Sequence, residues 1–193
     1  MKKKIELREL VLCALFIALI TAGTFIRIPI GSDVYTQFLF TLLAGLVLGG
    51  RLGVLAVGAY VLMGLVGIPV FASGGGPGYL MQPTFGYLIG FILQAYVCGK
   101  LSRRLTRPRM LTLLGVNLVG MVYLLGLVWF YVVSNYVIMA PVSIWWVILY
   151  CGILQVGPDF ILCVISAGLA ARFLRAGFWL GASKVNSSAV KEA

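Results

Sequence analysis

The residues able to perform chemistry are few and widely spaced in this chain of 193 residues. Histidine, the commonest general base and metal ligand, is missing from the sequence, and the five acidic residues do not cluster. No phosphate-binding motif of the form G-x-x-x-x-G-K-[ST] occurs. We therefore expect no catalytic residues, no metal and no cofactor, and we expect that the chain does not hydrolyse ATP by itself. The cysteines show neither a CxxC pair nor a disulfide-like spacing, which is typical of small apolar residues inside a membrane: Cys13, Cys98, Cys151 and Cys163.

Asp159 is the acidic residue best placed to bind something. It follows Gly157 and Pro158, and an uncharged stretch separates it from Arg172. One interpretation is an N-terminal helix carboxylate, which the helix dipole favours. Another is an ionisable group at membrane depth that faces a cavity and accepts hydrogen bonds. The two interpretations are compatible, and the sequence leaves both open.

A second candidate region is the uncharged stretch from 67 to 91. Its glycines permit backbone angles and close approaches that side chains forbid, while its prolines limit where a helix can continue. A loop exposed to water is usually polar, whereas this one is apolar. We therefore expect it to fold over a cavity at the membrane surface, where protein or cavity water satisfies irregular backbone.

The composition indicates which elements must position these residues. The chain is 62% hydrophobic and 10% charged, with a mean hydropathy of +1.08, whereas a soluble domain has about 25% charged residues. It is therefore an integral membrane protein, which we predict to be all-α and to form a single domain over 1–180, followed by a disordered polar tail at 181–193. Since about twenty apolar residues span the hydrocarbon core, the uncharged intervals predict six transmembrane helices, near 9–27, 35–50, 52–68, 83–100, 110–133 and 155–176.

The basic residues predict the orientation. With both termini in the cytoplasm, every lysine and arginine except Arg27 lies on the cytoplasmic side. The net charge of +10 is thereby explained by topology, so no nucleic-acid partner is expected. Between the last two predicted spans, Trp145, Trp146 and Tyr150 are suited to the outer interface.

The first helix carries a stripe of small residues. Ala14, Ala18 and Ala22 recur at every fourth position and so lie on one face, which we call the alanine stripe. Small residues favour close helix packing in lipid. The partner is either another helix of this protein or a separate membrane subunit.

Several of these motifs together resemble the BioY family, the biotin-binding S components of energy-coupling factor (ECF) vitamin transporters. The resemblance covers essentially the whole chain, and its most specific part is Pro-Thr-x-Gly-Tyr-Leu-x-Gly-Phe at 83–91. The other matching features are Gly-Ile-Pro-Val-Phe-Ala at 67–72, the glycine-rich loop that follows, Leu-Ala-Gly-x-x-Leu-Gly at 43–49, Gln37 and the late Gly-Pro-Asp.

The resemblance implies an S-component-like bundle in the bacterial plasma (inner) membrane, with an outward-facing pocket that binds biotin. On this basis we expect Asp159 to contact the ureido ring and Tyr79, Tyr87 and Gln94 to line the pocket. Packing at the membrane interface is the other interpretation of the two tyrosines. The resemblance further implies that the alanine stripe docks onto a membrane-embedded coupling subunit driven by paired cytoplasmic ATPases. Biotin would then be captured outside and carried across the membrane without covalent change.

Two positions depart from the family pattern. Phe85 stands where the family usually has glycine, and Leu162 stands where it usually has a lysine three residues after the aspartate. The second departure leaves another vitamin or small heterocycle open as the ligand. A solitary biotin facilitator, which would need no partner, is the other alternative.

Overall fold

The computed structural model describes residues 6–30, 32–101 and 108–175, so the tail at 181–193 lies outside the described residues. This part of the chain is predominantly helical. Two long helical stretches contain π-helical turns. The elements are α1 (Leu7–Phe25), β1 (Arg27–Ile30), β2 (Ser32–Tyr35), α2 (Gln37–Val66), a 3₁₀ turn (Pro77–Met81), α3 (Phe85–Leu101), α4 (Pro108–Val132) with its π turn (Val133–Val137), α5 (Ile144–Trp146), a π segment (Val147–Ile153) and α6 (Leu154–Arg175).

The helix α2 is broken at Gly49 and folds back on itself. Gly49 has φ 80° and ψ 171°, a conformation that only glycine adopts without strain. The amide nitrogen of Gln37 donates to the hydroxyl of Tyr60 at 3.2 Å, although a straight helix would hold these residues about 35 Å apart. The arms 37–48 and 50–66 therefore run side by side, at the positions of the second and third predicted spans.

Four helical stretches of the described chain are long and apolar enough to cross a membrane: Leu7–Phe25, Gln37–Val66, Gly120–Val137 and Ile144–Phe173. The helix α3 is also apolar but shorter, with 17 residues. The last stretch begins at Ile144, well before the start predicted for the final span. The segment predicted to lie separately at the interface is thus helical and continuous with α6, because its apolar residues extend the helix through the π segment.

The described part of the chain is all-α apart from one short β-hairpin between α1 and α2. There β1 and β2 form an antiparallel hairpin in which Arg27 is opposite Tyr35. The backbone N–H of Thr36 continues the ladder by donating to the carbonyl of Ile26 at 3.3 Å. Two extended segments rich in β-branched residues pair their backbone groups in this way, whereas a single extended loop would leave them without partners.

Close packing of α3 against α4 positions one wall of the interior. A Cβ on Gly86 would overlap Trp129 and lie 2.8 Å from the carbonyl oxygen of Leu125, and one on Gly90 would lie 3.0 Å from Cα of Val122. The two glycines of the 83–91 block therefore let the helices approach closely. The same packing places the side chains of Tyr87, Leu88 and Phe91 along the interior.

The glycine-rich loop is anchored on the end of α2. The hydroxyl of Tyr60 donates to the carbonyl of Val70 at 3.1 Å, and the N–H of Gly76 donates to the carbonyl of Gly64 at 2.7 Å. Phe71 is buried, with its ring 5.4 Å from that of Tyr60. The loop is apolar because it packs its own aromatic residue into the helical core.

Candidate functional site

A cavity of about 450 Å³ lies under the glycine-rich loop, which confirms that this loop covers a cavity. Its volume falls within the range of about 300–1,000 Å³ that is usual for ligand pockets. Residues from every large helix except α1 contribute, together with the loop. The lining comprises Gln37 and Phe38 of α2; Ala72, Ser73, Tyr79 and Thr84 of the loop; Tyr87, Leu88 and Phe91 of α3; Val122, Tyr123 and Phe130 of α4; and Trp146, Tyr150, Cys151, Gln155 and Asp159 of the last helical stretch.

The buried end of the cavity is organised around Asp159. The hydroxyl of Tyr123 donates to Oδ2 of Asp159 at 2.7 Å, and the two residues are 7% and 8% exposed. The ring of Tyr87 meets that of Tyr123 edge to face, with centroids 6.0 Å apart. A short hydrogen bond between buried groups fixes the carboxylate in one orientation toward the cavity.

Asp159 is not at a helix N-terminus, so that interpretation is wrong. The helical stretch begins at Ile144, more than three turns earlier, and Pro158 lies inside α6. The other interpretation matches the geometry, since the carboxylate faces the cavity and accepts a hydrogen bond. The dipole of a helix end acts over only the first turn and has no part here.

A π segment places the preceding turn against α3. Within it the carbonyl of Cys151 accepts a hydrogen bond from the hydroxyl of Tyr87 at 3.2 Å. In a π-helical turn the hydrogen bonds run from i to i+5, and such turns often occur at functional sites. Tyr87 therefore both lines the cavity and ties the last helical stretch to α3.

Three of the four residues predicted to bind the substrate lie around the cavity, and Gln94 does not. Tyr79, Tyr87 and Asp159 line it. Gln94 is seven residues beyond Tyr87 on α3, or about 10 Å along the helix axis, and it is fully buried. Neither amide atom of Gln94 has a hydrogen-bond partner among the described protein groups.

The structure adds an aromatic rim that the sequence did not assign to the site. The ring of Trp146 stacks on that of Tyr150 at 4.9 Å and faces that of Phe130 at 6.3 Å. Two of these residues were predicted only as interfacial aromatics. Tyr123 was also missed, and its one signal was a hydroxyl within an apolar run.

Neither residue that departs from the family pattern lines the cavity. Leu162 is 7% exposed and packs in the hydrophobic core. Phe85 is also buried, with its ring 5.8 Å from that of Trp129. These side chains therefore affect packing around the site rather than the described cavity surface.

The alanine stripe faces outward. Ala14, Ala18 and Ala22 are all exposed in the isolated chain. The opposite face of α1 is buried against α2, where Cys13 and Ile20 belong to the core. Within the described residues, the stripe is thus not used for packing inside the protein.

The chemistry of the cavity follows from this arrangement. Aromatic and aliphatic side chains can enclose an apolar ligand body, one carboxylate is fixed among buried side chains, and Ser73 and Thr84 supply exposed hydroxyls from the loop. A carboxylate accepts hydrogen bonds through several lone pairs. The cavity suits a compact, largely apolar molecule with N–H donors at one end.

A known protein family matches most of the chain. The family model described as the BioY family matches residues 1–177. The chain is 39% identical over 179 residues to a probable biotin transporter BioY from Lysinibacillus sphaericus, covering 91% of each chain. It is 43% identical over 122 residues to the biotin transporter BioY of Thermotoga maritima, covering 62% of this chain and 72% of the relative.

A solved structure shares the fold. It is the S-component for biotin from an ECF-type ABC transporter, with a TM-score of 0.65 and 22% sequence identity. The alignment covers 91% of this chain and 95% of that one.

Proposed function

The chain belongs to the BioY family, and from that premise we propose that it binds biotin in the cavity under the glycine-rich loop and carries it across the membrane. The main support for this proposal is the carboxylate of Asp159, which accepts a hydrogen bond from Tyr123 at the buried end of an apolar cavity. Biotin has an apolar body and a urea head with two N–H donors. The family is one of transporters, so the proposal is binding and carriage without catalysis.

The contacts we assign follow the shape of the cavity. Asp159 accepts the ureido N–H groups, since its carboxylate has acceptor capacity beyond the bond to Tyr123. Tyr79 and Tyr87 flank the ring system from the loop and from α3. Because Gln94 lies outside the lining, we give it no direct contact.

Direct titration of the purified, detergent-solubilised chain tests the ligand. Biotin should bind at one site per chain, while thiamine and riboflavin, which lack the bicyclic urea, should not compete. The same panel in a thermal-shift assay addresses another vitamin as ligand. Stabilisation by a different heterocycle, with none by biotin, would refute this proposal.

The topology we propose has six membrane crossings and both termini in the cytoplasm of a bacterium, within one domain over 1–180. Two features support it: the apolar helices of the structure and the break at Gly49, which divides α2 into two arms. The basic residues then concentrate on the cytoplasmic side. Labelling of single cysteines introduced at the two ends of the chain with an impermeant reagent tests this orientation.

We further propose that the alanine stripe docks onto a membrane-embedded coupling subunit, which works with paired cytoplasmic ATPases. The support is its exposure on a helix whose other face is already packed. Small residues let two helices approach closely in lipid, where the hydrophobic effect does not drive association. Biotin uptake should therefore require the energising subunits. Full uptake in a host that lacks them would instead identify a solitary facilitator.

A further inference from the structure

We propose that the cavity recognises the fused-ring end of its ligand and leaves the carboxylate end in water, so that amides of biotin bind about as well as biotin itself. This inference rests on the proposed function and extends it to a substrate class. That class comprises biotin and biotin derivatives joined to an amine through the side-chain carboxylate.

Asp159 determines which end of the ligand lies deepest in the cavity. Its carboxylate lies at the buried end of the cavity beside Tyr123. A ligand carboxylate at that depth would lose its hydration and face a like charge at low dielectric. The urea, which is neutral and donates two hydrogen bonds, is the end that this site accepts. The carboxylate of biotin must then point toward the exposed rim.

The described part of the rim offers neutral groups to that carboxylate. Among the described residues that line the cavity, Asp159 carries the only formal charge. The exposed lining residues that carry hydroxyls are Ser73, Thr84 and Tyr150. A hydroxyl donates equally well to an amide carbonyl, and a neutral hydrogen bond at an exposed position contributes little. Replacing the carboxylate by an amide should therefore change the dissociation constant by less than about tenfold.

The rim also leaves room for a larger substituent. Ala72, Ser73 and Thr84 on the loop side and Trp146 and Tyr150 on the helical side are all exposed lining residues. A group attached beyond the carboxylate would extend between these two sides into water. Biocytin, in which biotin is joined to the side-chain amine of lysine, is the natural probe of this opening.

Calorimetric titration of the full chain with biotin, biotin amide and biocytin tests the inference. We expect the dissociation constants of both amides to lie within about tenfold of that of biotin. Biotin binding accompanied by a loss greater than tenfold for biotin amide would overturn the inference while leaving the proposed function intact. Failure of biotin itself to bind would instead refute the proposed function.

Two variants test which side chains determine the relative affinities for biotin and biotin amide. Arg27, at the start of β1, is the basic residue that the charge pattern predicts outside. Arg27→Gln should leave the ratio of the biotin and biotin amide constants unchanged. If Arg27→Gln weakens the binding of biotin but not of biotin amide, a cation binds the ligand carboxylate, which contradicts the inference. Asp159→Asn should weaken both ligands by the same factor, because it changes the end that they share.

Discussion

Replacing Asp159 by asparagine separates binding from stability. The carboxylate offers two oxygens, of which Oδ2 accepts from Tyr123 at 2.7 Å. Asparagine keeps the shape but has one carbonyl oxygen and an NH₂ group. If that oxygen accepts from Tyr123, the NH₂ group faces the ureido N–H groups, donor against donor. If the side chain turns over, Tyr123 loses its acceptor.

The size of the effect follows from the lost charge-assisted bond. A hydrogen bond to a charged group contributes about 1.5–3 kcal/mol, so biotin should bind roughly tenfold to 150-fold more weakly to Asp159→Asn. The free protein should unfold at the same temperature or higher. Removing a buried charge relieves its desolvation cost, which offsets a weaker bond to Tyr123.

The assay is calorimetric titration of biotin into the purified chain, with thermal unfolding of each variant in the same detergent. Glu9→Gln is the matched control, because it removes an acidic charge at the start of α1, outside the cavity lining. The control should bind biotin as the parent does. A folded Asp159→Asn variant with parental affinity would refute the assignment of this carboxylate to the ureido ring.

Three further predictions concern the surroundings of the site. In a denaturant titration, Tyr123→Phe should lower the free energy of unfolding by about 1.5–3 kcal/mol, because it removes the donor to a buried carboxylate. Tyr136→Phe is the control: Tyr136 is 72% exposed, so this variant should change the free energy of unfolding little. Gly86→Ala should lower the free energy of unfolding by about 1–3 kcal/mol, because its Cβ overlaps α4, whereas Gly168→Ala, with nothing within 4 Å, should raise it by about 0.5–1 kcal/mol. Ala18→Leu should abolish co-purification with the coupling subunit and leave biotin binding unchanged, whereas Gly168→Leu should preserve both.

Each of these pairs has an outcome that contradicts its reasoning. Equal unfolding of Tyr123→Phe and Tyr136→Phe would show that the buried bond contributes no stability. A Gly86→Ala variant as stable as Gly168→Ala would show that α3 and α4 do not pack closely at Gly86. Co-purification that survives Ala18→Leu would place the docking surface elsewhere.

Local properties of the sequence predicted the class and the position of most helices. Uncharged apolar intervals persist wherever a chain must cross lipid, and this constraint acts on each segment separately. The same local logic identified the stretch at 67–91 as a cavity cover and the alanine stripe as a face suited to close helix packing. It also selected Asp159, since an ionisable group in an apolar segment is rare enough to stand out.

The tertiary structure decided which of these residues meet. Nothing in the spacing of Tyr123 and Asp159 requires a hydrogen bond, because their contact depends on how α4 and α6 are rotated against each other. Gln94 and Tyr87 look equivalent along α3, yet one is buried below the cavity and the other lines it. A helix repeats its faces along its whole length, whereas a cavity occupies only part of that length.

The sequence by itself determined that this chain lies in a membrane as apolar helices, with a glycine-rich loop over a cavity and one exceptional carboxylate. Only the tertiary structure decided that a hairpin follows α1, that the last helical stretch begins at Ile144 and that Tyr123 meets Asp159. The physical reason is that hydrophobicity is a property of each segment. Register, rotation and the partner of a buried polar group are set by contacts between segments that are distant in the chain.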